Sequence, residues 1–520
     1  MAVVSPLPLL LLIVAFVAAA LATRRKRPLP PGPKGVPLLG NIYDVPKSRE
    51  WLAYQNWSRE YDSDIIYLNL AGTPVVVVNS IDAAYELFER RSSLYSDRYL
   101  HSLCVRDLDG LQSRVGCDWH FVFMGYGDRW RERRRVFHQH FHPAAALQHR
   151  PRALKGARVL LNRLLDTPDD FMGHLRHMAG SLIIGVAYGL EVQPKDDPFV
   201  ATAERALHAI AMAGNAGSFL VDSIPILRYV PTWFPGAEFR RKAIEWKKST
   251  TAMVEVPFKA VKRAIADGMA TPSMIASLLS TLDESDDSTD LEKLYSGVAA
   301  AAYTGGSDTT VSALGSFFLA MILYPDIQRK AQAELDRVIG NDRLPEFSDQ
   351  RSLPYISAVV QEVLRWRPVT PLAVPHRLTS EDEFHGYRLP AGAIVVGNGW
   401  AMLHDEKRFP SPEEFIPERF LTPDGQLNDK MKDAELPAFG FGRRICPGRY
   451  LACASLWISV ASVLSTMEIH KPLDDRGTPI EPSEEYTTGL VTYPLPFKCG
   501  FKSRSKAVED LIRAAAFQLD

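Results

Sequence analysis

Cys446 stands in the run Phe439-Gly440-Phe441-Gly442-Arg443-Arg444-Ile445-Cys446-Pro447-Gly448, directly ahead of the apolar stretch 450–467. A cysteine binds metal or attacks as the thiolate, and the thiolate needs stabilising surroundings. Pro447 suits the first turn of a helix, which predicts a sulfur at that helix's partly positive amino-terminal end and a lowered thiol pKa. The glycines let the backbone approach a flat partner closely. Arg443, Arg444 and Arg449 place cations where anionic groups could dock. No second Cys or His flanks the site at the spacing of zinc or iron–sulfur ligands, so a single axial thiolate on haem iron fits the pattern better. The remaining cysteines, Cys104, Cys117, Cys453 and Cys499, read as buried apolar side chains or spare thiols.

A second constellation is Gly305-Gly306-Ser307-Asp308-Thr309-Thr310, in the middle of the proline-free stretch 291–323. Two adjacent glycines weaken a helix by roughly 1 kcal/mol each relative to alanine. They leave room beside the helix, and the Thr309 hydroxyl is placed to bond the Gly305 carbonyl and open the turn. Asp308 adds a carboxylate for proton delivery. The bland alternative is a notch for helix packing. A third constellation pairs Glu362 and Arg365, three apart on one helical face. A fourth pairs Trp130 and Arg134, four apart within the arginine-rich run 128–135.

The ten residues ending at Gly448 match the F-x-x-G-x-R-x-C-x-G signature of the cytochrome P450 family, and the chain resembles that family, in particular its fungal microsomal members, along nearly its whole length. The resemblance implies haem b as cofactor with Cys446 as axial ligand and Phe439 and Gly448 against it. It gives Thr309 the part of donor to dioxygen and Asp308 a place in a proton relay. It assigns Trp130, Arg134, Arg444 and His376 to the haem propionates, with Arg98 as a further candidate. It joins Arg419, in Phe415-Ile416-Pro417-Glu418-Arg419-Phe420, to Glu362 and Arg365 in a buried charge network that holds the Cys446 loop. The activity implied is a monooxygenase acting on a lipophilic small molecule with O2 and electrons from an NADPH-cytochrome P450 reductase. Arg443, Arg449, Lys430 and Lys432 form a candidate docking patch for that partner. A haem-thiolate isomerase or dehydratase, and a non-catalytic haem sensor or carrier, stay open beside it. The intact Asp308–Thr309 pair counts against the isomerase or dehydratase, which needs no oxygen-activation pair.

The elements that must position these residues are mostly helical in pattern, with a small β lobe. The expected fold is therefore mainly α, one catalytic domain over 41–520. The 520 residues would by length alone suggest about three domains, but residues from 130 to 446 must meet at one cofactor. Lys and Arg number 60 against 61 Asp and Glu, which argues against a nucleic-acid partner. The odd cysteine count has no framework spacing and points to free thiols in a reducing compartment. Residues 3–22 are uncharged and largely apolar, and Arg24, Arg25, Lys26 and Arg27 follow. Twenty such residues just span a bilayer, and the positive cluster stays cytosolic. The expectation is a transmembrane anchor over 1–23, single-pass in the endoplasmic reticulum with a cytosolic catalytic domain. A cleaved secretory signal is the rival reading, against which stands the lack of a basic segment before the apolar run. A basic, proline-rich hinge covers 24–40 and reads as stiff and extended.

Along the chain, Ile65–Leu70 and Pro74–Asn79 read as a hairpin joined by Ala71-Gly72-Thr73, and Ile394–Gly397 as another short strand. The polar segment 268–290 reads as a surface loop. Residues 291–323 read as a buried central helix, because the polar run Thr304–Thr310 and Asp308 argue against a second membrane span. The segment 101–118 is longer and more polar than the family pattern leads one to expect. Trp233-Phe234-Pro235-Gly236 reads either as an apolar loop touching a bilayer or as a core turn.

Overall fold

The computed structural model describes residues 27–98, 115–214, 229–282, 288–431, 434 and 436–517. The anchor over 1–23, Cys104, Lys432 and most of the segment 101–118 lie outside the described residues.

Helices dominate. In chain order the principal ones are α1 (Glu50–Glu60), α2 (Asp128–Phe141), α3 (Arg150–Asp166), α4 (Phe171–Tyr188), α5 (Pro198–Gly214), α6 (Glu238–Ala266), α7 (Ser288–Leu323), α8 (Pro325–Val338), α9 (Pro354–Trp366), α10 (Gly399–Leu403) and α11 (Arg449–Thr466). The strands are β1 (Ile65–Leu70), β2 (Thr73–Val78), β3 (Asp97–Arg98), β4 (His376–Arg377), β5 (Asp382–Phe384), β6 (Tyr387–Leu389), β7 (Ile394–Gly397), β8 (Met467–His470) and β9 (Gly500–Ser503). The largest sheet has the order β1-β2-β7-β4-β3. Its register sets Arg98 opposite His376, so two residues 278 apart in the chain become strand neighbours.

The hairpin differs from expectation by one residue. Thr73 pairs with Leu70, and the turn is Ala71-Gly72, with φ of 48° and 90°. Two positive-φ residues make the short turn whose twist matches the flanking strands, and Thr73 is thereby drawn into the strand. Ile394–Gly397 forms the expected strand. The segment 268–290 is not one loop. Met274–Leu279 is a helix whose Ser273 side chain caps Ala276 N, and Met274, Ile275 and Leu278 are buried. The charges around it hid an apolar triplet on one face.

α7 is the central helix. It runs unbroken for 36 residues, ends where Pro325 starts α8, and packs on α4, α2, α9 and α11. Its apolar stretch is long enough to cross a bilayer, yet 78% of that window is buried inside the protein, so it is core. α4 closes at Gly189, whose φ of 69° gives a left-handed cap. The main core lies between α3, α4, α7, α9 and α11, with Trp366 and Trp457 fully buried in it.

Candidate active site: a haem cradle beneath the central helix

The Cys446 loop is built by short-range bonds. Cys446 N donates to Phe439 O at 2.8 Å, closing the loop on itself. Gly442 has a φ of 56°, and a Cβ there would collide with the Phe88 carbonyl. Its close approach is to the protein's own backbone rather than to a flat ligand. Gly440, also left-handed, and Gly448 leave open space instead: a Cβ would meet nothing nearer than Sγ of Cys446, 4.0 Å from Gly448. Arg449 donates to Cys446 O at 3.1 Å and to the Tyr450 hydroxyl at 2.6 Å.

The helix begins later than Pro447 predicts. α11 starts at Arg449 with Gly448 as its cap, so Cys446 precedes the first turn. The Gly448 and Arg449 N–H groups still point at the sulfur. The thiol pKa is nevertheless raised, not lowered. Burial is the largest cause, and it outweighs those N–H groups and the charges of Arg134 and Arg449.

Around the loop lie guanidinium groups that outnumber the carboxylates beside them among the described residues. Arg98 is 4% exposed and Arg444 8%. Arg98 donates to carbonyls only: Val122 O at 3.2 Å, Pro375 O at 3.1 Å, and Val374 O. Arg444 donates to Ser96 O at 2.8 Å, Phe121 O at 3.3 Å and Met124 O at 2.8 Å. Arg134 reaches from α2 to Ile445 O at 2.6 Å. None of the three makes an ion pair among the described residues. Asp97 accepts from Tyr126 N at 2.7 Å, and its charge partly offsets the burial of Arg98 and Arg444.

Burial drives all three pKa values down, Arg134 to about 10 and Arg444 to about 9. Arg98 falls well below its usual range, with the charges of Arg444 and Arg134 adding to the burial effect. Buried charges of one sign are costly unless a counter-charge joins them. The cradle is therefore short of negative charge, which a group bearing two carboxylates would supply.

His376 is 3% exposed. Its Nδ1–H donates to Tyr95 O at 2.7 Å, which leaves Nε2 as the free nitrogen. Burial first, then Arg98, hold the ring neutral. Trp130 supports the cradle in a way the sequence did not suggest: the Arg444 guanidinium lies over its ring, 4.2 Å from the centroid. Arg98, the further candidate for the propionates, is set more deeply than Arg134 or Arg444.

On α7 the two glycines separate in function. Gly306 packs on Ile183 of α4, whose side chain a Cβ would meet at 3.0 Å, whereas a Cβ at Gly305 would meet nothing within 4 Å. Gly306 is the packing notch and Gly305 opens onto a void, although Ala301–Thr304 just before it are buried. The Thr309 hydroxyl donates to Gly305 O at 2.5 Å, as expected. The helix stays regular through this turn, so the predicted opening is absent. The hydroxyl shares the carbonyl rather than displacing the backbone N–H.

Asp308 is pushed up by burial; the neighbouring Tyr493 hydroxyl and the charge of Arg176 pull it back down. His120, fully buried and held to about 4 by burial, bonds Thr304 Oγ1 at 2.8 Å and ties the 115–123 segment to α7. Sequence reading missed Tyr493 and His120, because neither lies in a motif nor near one.

The charge network forms as expected. Glu362 and Arg365 are both 0% exposed. The carboxylate accepts from Arg365 Nε at 2.6 Å and Nη2 at 2.9 Å, Ile416 N at 2.8 Å and Arg419 Nε at 3.2 Å. Arg365 spends its remaining donors on Leu403 O, Pro412 O and Glu414 O. Leu403 ends α10. Gly399 begins it, where a Cβ would sit 3.2 Å from Pro437 O. Pro437 is two residues before Phe439, which bonds Cys446. The network thus reaches the ligand loop through one short helix.

The family model for cytochrome P450 matches residues 30–501. The chain belongs to the cytochrome P450 family. It is 45% identical to cytochrome P450 monooxygenase 98 of Postia placenta, over 94% of this chain and 93% of that one. It is 43% identical to cytochrome P450 monooxygenase ple1 of Rhodocybe pseudopiperita, over 94% and 92% of the two chains. It is 40% identical to tryptamine 4-monooxygenase of Psilocybe cyanescens, over 95% and 96%. The protein is an oxidoreductase of the monooxygenase type, and its cofactor is haem with a cysteine thiolate, Cys446, as axial ligand. The cation-rich, anion-poor cradle and the open face of Gly305 fit that group.

Proposed function

We propose that this cytochrome P450 inserts one atom of O2 into a lipophilic small organic substrate, with electrons from an NADPH-dependent reductase at the endoplasmic reticulum membrane. The observation that carries the site assignment is the set of three guanidinium groups, Arg98, Arg134 and Arg444, gathered beside Cys446 with no ion pair among the described residues and with Asp97 as the one carboxylate acting on Arg98 and Arg444. Bound haem supplies reductive activation of dioxygen, its axial sulfur favouring O–O cleavage. Arg98, Arg134 and Arg444 hold the propionates as charge-assisted donors, with Trp130 bracing Arg444 and His376 completing the polar rim. Phe439 and Gly448 bound the ligand loop, and Glu362, Arg365 and Arg419 keep it in place.

On the opposite side, Gly305 leaves the void in which substrate and oxygen are held. Thr309 donates a hydrogen bond there once its hydroxyl leaves the Gly305 carbonyl. Asp308 passes protons toward it. The raised carboxyl pKa makes the protonated form easier to reach, as a relay group requires.

Membrane association is supported by residues 3–22 and by exposed aromatics. Trp233 is 78% and Phe234 47% exposed, which removes the core-turn reading of that loop and favours contact with a bilayer. The 1–23 anchor, 24–40 hinge and 41–520 catalytic domain remain the organisation we infer. Arg443, Arg449 and Lys430 are the described members of the candidate docking patch for the reductase. Arg449 is partly spent on Cys446 O, and the Arg443 side chain on Ser92 Oγ and Tyr126 Oη.

The test is spectral and then chemical. The reduced protein should show the red-shifted carbon monoxide band of a sulfur-ligated haem, and NADPH with a reductase should yield oxygenated products from a mixed lipophilic panel. One relative is named for tryptamine, so the panel includes that amine. Product formed without NADPH or reductase would instead favour an isomerase or dehydratase.

A further inference from the structure

The carboxy-terminal chain returns over α7 as a hairpin closed by the bridge between Tyr486 and Pro494. Thr487 N donates to Tyr493 O at 2.8 Å, and Tyr493 N to Thr487 Oγ1 at 2.9 Å. The hairpin lies along one ridge of α7. The Tyr486 hydroxyl donates to Ser316 Oγ at 3.0 Å, and the Ser312 hydroxyl donates to Thr492 O. Pro494 Cγ comes within 3.2 Å of where a Cβ on Gly315 would be. Residues 308, 312 and 316 are four apart and share that ridge. At its amino-terminal step the hairpin sets the Tyr493 side chain beside the Asp308 carboxyl, close enough for each to act on the other's ionisation.

We propose that Tyr493 is a positioning residue for proton delivery: its hydroxyl donates to Asp308 and holds that carboxylate on the hairpin side of α7, between the surface and the void at Gly305. The proposal rests on the reading of Asp308 as the proton-relay group. The other groups acting on Asp308 and its neighbours are Arg176 from α4, Glu204 from α5, and Tyr303 on α7, itself next to Tyr188 and Asp197. Arg176 and Glu204 are exposed, so they mark the solvent end of the path. Burial keeps the Tyr493 hydroxyl protonated, and the Asp308 charge adds to this; it remains a donor throughout the working pH range. Removing it takes away a bond that favours the ionised carboxylate.

The experiment uses the ferric holoenzyme. Isotope-edited infrared spectra of the aspartate carboxyls, wild type minus Asp308→Asn, give the Asp308 titration. Tyr493→Phe is expected to shift that titration to higher pH. During NADPH oxidation with reductase and no added substrate, it should also move the hydrogen peroxide yield toward that of Asp308→Asn. Ser312→Ala loosens the hairpin but leaves the Tyr493 hydroxyl, and is expected to keep the wild-type titration. An unshifted titration in Tyr493→Phe overturns the proposal, and so does an equal shift in Ser312→Ala. If Asp308→Asn leaves the peroxide yield unchanged, the relay reading of Asp308 falls, and the proposed part of Tyr493 in proton delivery falls with it.

Discussion

The guanidinium of Arg444 lies over Trp130, 4.2 Å from the ring centroid, so a residue of the ligand loop is braced by one from α2. The contact is buried on both sides. Trp130→Ala should cost about 1–2 kcal/mol of that support and speed haem loss, measured as transfer to excess apomyoglobin. Trp130→Phe keeps a ring face and should fall between the two.

Arg98 should show opposite effects in the two states of the protein. In the haem-bound state we propose that it donates to a propionate, so Arg98→Leu should weaken haem binding by about 1.5–3 kcal/mol, roughly 10- to 150-fold. Without haem it is a buried cation beside Arg444 and Arg134, and its removal should raise the apoprotein's melting temperature. Destabilisation of both states would show that the guanidinium serves the Val122, Val374 and Pro375 carbonyls alone.

Glu362→Ala leaves Arg365 charged and fully buried and deprives Arg419 of its carboxylate. Breaking such a buried pair costs about 3–5 kcal/mol. Equilibrium denaturation followed by tryptophan emission and by haem absorbance should show both the loss and early haem release. A variant as stable as wild type would mean that carbonyl bonds alone hold Arg365.

Thr309→Ala removes the hydroxyl now seated on Gly305 O without opening a helix that is already regular. It should raise the peroxide share of consumed NADPH while substrate affinity holds. Thr309→Ser should restore most of the coupling. Equal coupling in all three proteins would take Thr309 out of the relay.

Asp308 also predicts a pH dependence of stability. Its folded-state pKa is raised by burial, so the native state binds the proton more tightly than the unfolded chain. That contribution is fully present below the unfolded carboxylate pKa and is lost as pH rises through the folded value. Asp308→Asn should therefore melt higher than wild type at neutral pH, with the difference shrinking as pH falls toward the unfolded value. A gap that is constant with pH would point to packing rather than ionisation.

Several features were legible in the chain because they are local. The Cys446 loop, the Gly305–Thr309 turn and the Glu362–Arg365 pair each lie within ten residues, so spacing alone brings their groups together. The long α7 was readable from its unbroken apolar run, and the strand 394–397 from its β-branched content. The errors were local too. One residue of hairpin register was decided by the positive φ of Ala71, and the helix Met274–Leu279 was masked by the charges beside it. The sign of the Cys446 pKa shift was misjudged, because a dipole can be read from a proline but the depth of burial cannot.

Chain order by itself determined the class of chemistry, since a lone cysteine in a glycine- and arginine-rich loop needs no distant partner to be recognised. Only the tertiary structure decided which cations share the cradle, which of two neighbouring glycines faces a void, and which tyrosine lies beside Asp308. The reason is physical: unmatched charge, empty space and hydrogen bonding are properties of surroundings. Those surroundings are assembled from segments that sequence order keeps hundreds of residues apart.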